Sequence, residues 1–292
     1  VFRYYAGWVR KVYGQTIPVD GPYLNYTMLE PVGVVAAMVP WNFPLQLAAW
    51  KTAPALACGC SMVLKPSEHT PLTALKLAEY FLEAGMPDGA LNVLTGYGET
   101  AGESLALHCE VDQVSFTGNL RTARRVLTAA ADSNLKRVTL ELGGKSPNIV
   151  FPDCDMEAAL SGALWGVFRN QGAVAAAGSR LLLHEDIHDR FVERLVERAG
   201  QLRLGDPLDR QTDIGSQISA KQMALVLDHI SAGKAEGARL RCGGDRETAG
   251  ACEKGFFLRP TIFDGVEPAM KIAQEEIFGP VLCCMRFRTA EE

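Results

Sequence analysis

Three polar side chains in this sequence are of types that carry out acid–base and carbonyl chemistry. They are the carboxylate of Glu141, the side-chain amide of Asn42 and the amine of Lys51. A carboxylate can take a proton from water, and an amide NH2 can donate to an oxygen that becomes negative. Ordinary alternatives stay open: a lone Glu is usually a solvated surface residue, Asn42 can belong to a turn after a strand, and Lys51 can face solvent or pair with an acid.

Six short motifs follow one another in a fixed order along nearly the whole chain. Any one such Gly- or Pro-rich string occurs by chance, but six in order do not, and together they resemble the NAD(P)-dependent aldehyde dehydrogenase family. The motifs are Pro40-Trp-Asn-Phe-Pro, Lys65-Pro-Ser-Glu, Phe116-Thr-Gly, Glu141-Leu-Gly-Gly-Lys-Ser-Pro, Phe168-Arg-Asn-Gln-Gly and Glu275-Glu-Ile-Phe-Gly-Pro.

The fifth motif departs from the family at its most reactive position. The family has Phe-x-Asn-x-Gly-Gln-x-Cys, whose cysteine is the nucleophile. Here Phe168, Asn170 and Gly172 match, but the glutamine position is Ala173 and the nucleophile position is Ala175. An alanine has no lone pair to offer, so the covalent route of aldehyde oxidation cannot start.

The resemblance implies a role for each of the three polar side chains. Asn42 matches the asparagine that stabilises the oxyanion, Glu141 matches the general base, and Lys51 is carried over as a further catalytic-site residue. None of the side chains beside Ala175 replaces the missing thiol: Val174, Ala176 and Ala177.

NAD is the cofactor that the resemblance implies. Lys65 and Glu68 resemble the pair at the adenine ribose, where a carboxylate can accept from both hydroxyls and repels a 2′-phosphate, which favours NAD over NADP. Gly118 and Asn119 lead into a predicted helix whose N-terminus would hold the pyrophosphate. The family's Gly-Ser-Thr-x-x-Gly is here Gly-Asn-Leu-Arg-Thr-Ala, so two hydroxyls and a glycine are missing. The remaining positions assigned to NAD are Trp41, Leu142, Gly143, Glu276 and Phe278, the last two at the nicotinamide-side ribose.

Three functions are compatible with this pattern. The chain is an NAD-dependent aldehyde dehydrogenase whose nucleophile has been removed, or a non-catalytic NAD-binding or structural homologue, or an unrelated enzyme that uses Glu141 as a base on the same fold. The substrate of the first is an aldehyde, and Leu47, Trp50 and Phe168 resemble positions that line the family's aldehyde tunnel.

The alternation of strand and helix signals predicts an α/β fold with two domains. Residues 1–143 are predicted to form a doubly wound, parallel-sheet, Rossmann-like coenzyme domain, and 144–292 a second α/β catalytic domain, truncated at its C-terminus. Residues 14–31 are predicted to form a hairpin that the family uses in subunit association, which implies a homo-oligomer, a dimer or tetramer. Strands are predicted at 33–39, 61–64, 90–94, 113–117, 148–151, 180–184 and from 281, and helices at 71–84, 99–108, 121–131, 156–168, 189–202 and 220–233, with a helical signal at 1–13.

Composition excludes several classes of protein. Apolar residues make up 48% and charged residues 22% of the 292, as in ordinary globular proteins, and the net charge of −5 has no basic run for nucleic acid or an anionic membrane. The eight cysteines lack zinc-site spacing, so no metal is expected. We interpret them as reduced thiols, which predicts the cytoplasm or another reducing compartment. Both ends look cut, so the chain is interpreted as an internal fragment from which a targeting segment could be missing upstream.

Overall fold

The computed structural model describes all 292 residues. The chain divides into two compact units, Val1–Leu142 and Gly143–Glu292, which we call unit 1 and unit 2. Each unit has its own sheet and its own buried core, so each is described by itself.

Unit 1 contains seven strands and five α-helices. In chain order these are α1 (Phe2–Ala6), β1 (Thr16–Ile17), β2 (Asn25–Tyr26), β3 (Val34–Met38), α2 (Pro44–Ala57), β4 (Ser61–Lys65), α3 (Leu72–Glu83), β5 (Leu91–Val93), α4 (Glu103–Leu107), β6 (Gln113–Gly118), α5 (Leu120–Ala131) and β7 (Arg137–Leu142).

Five of these strands form a parallel sheet in the order β5-β4-β3-β6-β7, while β1 and β2 pair separately as an antiparallel hairpin. Alternate residues of β3 enter different cores: Val35 and Ala37 pack with α2 and α3, whereas Ala36 and Met38 pack with α4 and α5. The sheet is therefore covered on both faces, and the doubly wound parallel sheet predicted from the sequence is confirmed. The strand order reverses between β3 and β6, where sheets of this kind bind nucleotides.

Unit 2 contains five strands and four α-helices. They are β8 (Pro147–Val150), α6 (Met156–Phe168), β9 (Arg180–His184), α7 (Glu185–Gly200), α8 (Ala220–Ala235), β10 (Arg239–Cys242), β11 (Thr261–Asp264), α9 (Lys271–Gln274) and β12 (Val281–Phe287). The sheet order is β10-β11-β12-β9-β8, parallel except for β10. Apolar residues of α6 and α7 form one core with this sheet, and those of α8 and α9 form another. The second α/β domain predicted from the sequence is thus present.

An ion-pair network lies at the carboxyl edge of the unit 2 sheet. His188 of α7 contacts Asp264 at the end of β11 through Nε2 and Oδ1, 3.2 Å apart, and both side chains are buried. Arg239 and Arg241 of β10 reach the other Asp264 oxygen at 2.8 and 3.2 Å. The hydrogen bond to Asp264 raises the pKa of His188, and the same bond helps to hold the pKa of Asp264 far below its usual value against the opposing effect of burial.

Several element bounds differ from the sequence expectations. The helical signal at 1–13 gives only α1, because α1 buries none of its residues and a short helix needs tertiary packing to persist. Helix α7 begins at Glu185, four residues earlier than expected, since His184 Nδ1 accepts from the Asp186 N–H at 3.3 Å and caps it. The sequence patterns had not indicated α2, β7, β10, β11 or α9.

Candidate active site and cofactor-binding residues

Candidate residues of unit 1 gather at the carboxyl edge of its sheet. Lys65 is the last residue of β4, Gly118 ends β6, and Glu141 is the penultimate residue of β7. Asn42 lies in the loop that joins β3 to α2, half-buried with its neighbour Trp41. Because the four strands are parallel, all of these residues lie at one edge, at the point where the strand order reverses.

Lys51 links α2 to the sheet beside Glu141. Its Nζ donates to Ser115 Oγ of β6 at 2.8 Å. Ser115 and Thr117 lie two residues apart on the same face of β6, and Thr117 is paired in register with Glu141 of β7. Burial lowers the pKa of Lys51 to about 8, although the charge of Glu141 opposes the shift. Lys51 therefore changes charge close to neutral pH, next to the residue proposed from the sequence as a base.

Two residues in this region were given no role from the sequence. Ser115 is the acceptor for Lys51, and the hydroxyl of Thr117 is buried without a hydrogen-bond partner. A single serine or threonine inside a strand carries no chemical signal in the sequence. Their position became clear only from the β6–β7 register.

The side chains expected at the adenosine end of a nucleotide lie after β4. Lys65 is buried and its Nζ donates to the Pro66 carbonyl at 2.8 Å, whereas Glu68 is exposed. Burial lowers the pKa of Lys65, and the nearby carboxylate of Glu68 opposes this. The carboxylate of Glu68 is thus open to solvent, while the amine beside it is buried.

Asn119 forms the N-cap of α5. Its Oδ1 accepts from the Thr122 N–H at 2.9 Å, so the side chain satisfies one N–H group of the first turn. Helix α5 runs for twelve residues and begins at Leu120, after Gly118 and the capping Asn119. The other N–H groups of its first turn point toward the carboxyl edge of the sheet, where a helix N-terminus favours an anion.

In unit 2, the segment before β9 contains a tight left-handed turn. Asn170, Gln171 and Gly172 have φ angles of 51°, 46° and 78°. The Ala173 N–H donates to the Asn170 carbonyl at 2.9 Å. A Cβ atom at position 172 would overlap the backbone at Gly279, so both the angle and the close approach require glycine there. Ala175 follows this turn and is exposed.

Glu276 lies against the backbone of Gly143 and Gly144. A Cβ at Gly143 would overlap both carboxylate oxygens of Glu276, and the Gly144 N–H donates to this carboxylate. Burial raises the pKa of Glu276, while Gly144 and Lys145 act in the opposite direction. A cavity of about 10 Å³, roughly the space for one water, borders this carboxylate and is lined by Gly144, Gly172, Val174, Ala177, Ser179, Glu276, Ile277, Phe278, Gly279 and Val281.

Phe278 has a left-handed backbone with a φ angle of 56°. Gln222 of α8 fixes this conformation through Nε2, which donates to the Phe278 carbonyl at 2.9 Å. Gln222 is another residue that the sequence did not indicate, since it precedes its partner by 56 residues.

The three side chains compared with an aldehyde tunnel have different surroundings. Phe168 is fully buried in the unit 2 core and belongs to its packing, so the expectation that it lines an entrance is wrong for this structure. Leu47 packs partly buried against the α2–sheet core, and Trp50 is about half exposed on α2.

Three further properties concern metal binding, membrane-spanning helices and cysteine pairing. No group of three or more His, Cys, Asp or Glu side chains is arranged to hold a metal ion. No helix combines the length and apolar character needed to cross a bilayer. All eight cysteines are free thiols.

Comparison with known proteins shows which family the sequence matches. The sequence model of the aldehyde dehydrogenase family matches residues 1–292. Human retinal dehydrogenase 2 is 52% identical over 291 residues, which cover 100% of this chain and 55% of that protein. Human mitochondrial aldehyde dehydrogenase is 50% identical over 290 residues, 99% of this chain and 55% of its own length. The chain thus spans about half the length of the curated relatives it matches.

Solved structures agree with the fold in detail. The NAD+ complex of an aldehyde dehydrogenase from Bacillus cereus superposes with a TM-score of 0.96 at 46% identity, covering 99% of this chain and 58% of that one. A cysteine-to-alanine mutant of the P. syringae indole-3-acetaldehyde dehydrogenase AldA, in complex with NAD+ and IAA, gives 0.95 at 50% identity, covering 99% and 58%.

Proposed function

The chain belongs to the aldehyde dehydrogenase family, and from this premise we propose that it carries an NAD-binding site for aldehyde oxidation that lacks the nucleophile. The observation that carries the proposal is that Asn42 and Glu141 lie at the carboxyl edge of the unit 1 sheet, with Lys51 of α2 near enough to Glu141 to interact with its charge. This is where a fold of this kind places its ligands.

The residues present fit NAD. Helix α5 offers its N-terminus to a pyrophosphate immediately after Gly118, and the exposed Glu68 beside Lys65 can accept from ribose hydroxyls. In unit 2, Glu276 presents a carboxylate for the hydroxyls of the other ribose. Trp41, Leu142, Gly143 and Phe278 complete the proposed set. The neighbouring structures that are NAD complexes support this assignment, including one from a cysteine-to-alanine mutant.

Each polar side chain has a defined task in this proposal. NAD, when bound, supplies the hydride acceptor. The Asn42 amide donates to the oxygen of the aldehyde as that oxygen becomes negative, and Glu141 takes a proton from the water that releases the acid. Lys51, with a pKa near 8, gives or takes a proton beside Glu141. At position 175 the chain has a methyl group, so acyl transfer does not occur.

The two units have separate roles in this proposal. Unit 1 is the coenzyme-binding domain, the β1–β2 hairpin within residues 14–31 associates subunits into a dimer or tetramer, and unit 2 is the catalytic domain. The free state of all eight cysteines supports residence in the cytoplasm or another reducing compartment.

A second candidate is a non-catalytic NAD-binding homologue. It is favoured by one observation: Ala175 is part of an apolar run, Ala173 to Ala177, in which no side chain offers a replacement for the thiol. In this case the cofactor would stabilise the fold or report on NAD concentration without turnover.

Calorimetric titration with NAD and NADP tests the cofactor assignment. We expect NAD to bind, more weakly than to a family member with the full Gly-Ser-Thr loop, and NADP to bind less tightly than NAD because Glu68 repels the 2′-phosphate. Glu68→Gln should reduce the preference. Equal or tighter binding of NADP to the unmodified chain would contradict the role of Glu68.

Restoring the thiol tests the catalytic assignment. The chain should form no NADH from propanal or benzaldehyde above a control without protein. In the complete gene product, Ala175→Cys should oxidise these aldehydes, whereas Ala176→Cys, with the same thiol one residue away, should not. If both variants bind NAD and neither makes NADH, the non-catalytic function is the correct one.

A further inference from the structure

Lys145 is a buried amine that the proposed chemistry leaves without a task. Its Nζ is inaccessible to solvent and has no hydrogen-bond partner in the protein. Burial lowers its pKa, and three other ionisable groups act on it: Cys283, Arg180 and Glu276. An ammonium in such surroundings is costly unless an opposite charge compensates it.

Only one of those three neighbours can compensate Lys145. Burial raises the pKa of the Cys283 thiol, whose Sγ donates to the Ile272 carbonyl at 3.2 Å, so the thiol stays neutral. Arg180 carries the same sign as Lys145, and its Nε donates to the Lys145 carbonyl at 2.7 Å. Glu276 is the remaining group, and it is an acid.

Glu276 is a buried acid that also has an atom without a hydrogen-bond partner. Its Oε1 is buried and accepts no hydrogen bond, and the carboxylate lies over Gly143 against the amide of Gly144. Removal from water favours the neutral acid, whereas the Gly144 N–H and the Lys145 ammonium favour the carboxylate. Burial is the larger effect and raises the pKa of Glu276, so these two neighbours are what limits that rise.

We propose that Lys145 is a positioning residue for the cofactor: its ammonium keeps Glu276 ionised and seated on Gly143–Gly144, ready to accept from the hydroxyls of a ribose. This inference rests on the proposed NAD function. A carboxylate accepts two hydrogen bonds from a diol, whereas a protonated acid uses one oxygen as a donor. Lys145 thus acts through Glu276 and does not need to touch the ligand.

Calorimetric titration of NAD against pH measures this effect in binding. In Lys145→Met, which retains the volume without the charge, Glu276 takes up a proton at higher pH. Relative to the parent, its NAD affinity should fall as the pH is lowered, by up to about tenfold, the scale for a hydrogen bond to a charged group. Lys145→Arg should restore the parental pH profile. In a Glu276→Gln background, Lys145→Met should have no pH-dependent effect.

A direct titration keeps the inference testable without the cofactor. Carbon-13 NMR of the labelled Glu276 carboxyl group in the ligand-free chain should show a higher pKa in Lys145→Met and a value close to the parent in Lys145→Arg. An unchanged Glu276 titration in Lys145→Met would overturn the inference, whatever the cofactor result. If the NMR titration shows the expected rise of the Glu276 pKa in Lys145→Met but the parent does not bind NAD, the proposed function is overturned instead.

Discussion

At the scale of single residues, folding moves the pKa of the Lys51 amine toward neutral pH. Its amine lies partly buried against Ser115 and beside Glu141, and its pKa falls to about 8. The sequence placed Lys51 near the site by resemblance to the family, but it could not supply the pKa. That value depends on burial by α2 and on the β6–β7 register, neither of which a local pattern encodes.

The lowered pKa of Lys51 predicts unusual reactivity. Labelling with acetic anhydride as a function of pH, followed by peptide mass spectrometry, should give a midpoint for Lys51 near 8. Glu141→Gln should move the midpoint lower, because the Glu141 charge favours the ammonium. Lys76, exposed and paired with Glu79, is the internal control, since its pKa is raised. A Lys51 midpoint that matches that of Lys76 would contradict the burial assigned to Lys51.

Asn42 and Glu141 predict two different defects in the complete gene product with Ala175→Cys. Adding Asn42→Ala should slow acylation by roughly 10² to 10³, the scale for losing one oxyanion donor. Adding Glu141→Gln should allow acylation and trap a thioester, because water is no longer activated. Mass spectrometry after mixing with aldehyde and NAD would detect the adduct. Deacylation of the Glu141→Gln variant at the parental rate would remove Glu141 from the role of base.

At the scale of elements, the His188–Asp264 pair joins α7 to β11 in a buried position. Asp264→Asn should lower the free energy of unfolding by about 3 kcal/mol, since it leaves a buried histidine and two arginines without their acid. Asp189→Asn, at the exposed end of the same network, should cost less than about 1 kcal/mol. Urea denaturation measures both, and equal losses would show that burial is not the cause.

The same pair predicts the pH dependence of stability. Because folding raises the pKa of His188, its contribution is fully present below the unfolded value of 6.5 and is lost as pH rises through the folded value. Folding lowers the pKa of Asp264, so its contribution is present above 3.8 and is lost as pH falls toward the folded value. Unfolding free energies measured across this range should decline on both sides in the parent. The decline on the alkaline side should be smaller in Asp264→Asn.

Strands with continuous apolar runs, such as β3 and β4, could be predicted from the sequence because parallel strands are buried on both faces. The same principle explains the failure at β7, Arg137–Leu142, where polar and apolar residues alternate and every other residue is exposed. Helix α2 was missed because Pro54 lies inside it and its apolar residues do not form a single stripe. Tertiary packing decides these elements, and the sequence pattern does not show it.

At the scale of the whole molecule, the largest group of exposed apolar side chains is in the first 31 residues of unit 1. Tyr23 and Leu24 are exposed by 75% and 76%, and the hairpin that carries them has strands of only two residues. Such a short hairpin has little stability by itself, and exposed apolar surface is typical of subunit contacts. The sequence identified the hairpin through its turn residues, whereas its role in association remains a proposal.

Light scattering after gel filtration tests that role. The parent chain should elute as a dimer or tetramer, and Leu24→Asp should shift it toward the monomer. Leu208→Asp, which changes an isolated residue of unit 2 that is 91% exposed, is the matched control and should leave the mass unchanged. A monomeric parent would contradict the role of the hairpin in association.

The left-handed turn at residues 170–172 is built independently of the residues that follow it. The turn depends on Gly172, on the close approach of Gly279 and on the hydrogen bond between Asn170 and Ala173. None of these contacts uses the side chain at position 175. Under the proposed function, the backbone that would present a nucleophile therefore keeps its shape without the nucleophile, and the proposed defect is confined to one side chain. A small thiol supplied in solution is the natural candidate for chemical rescue at Ala175.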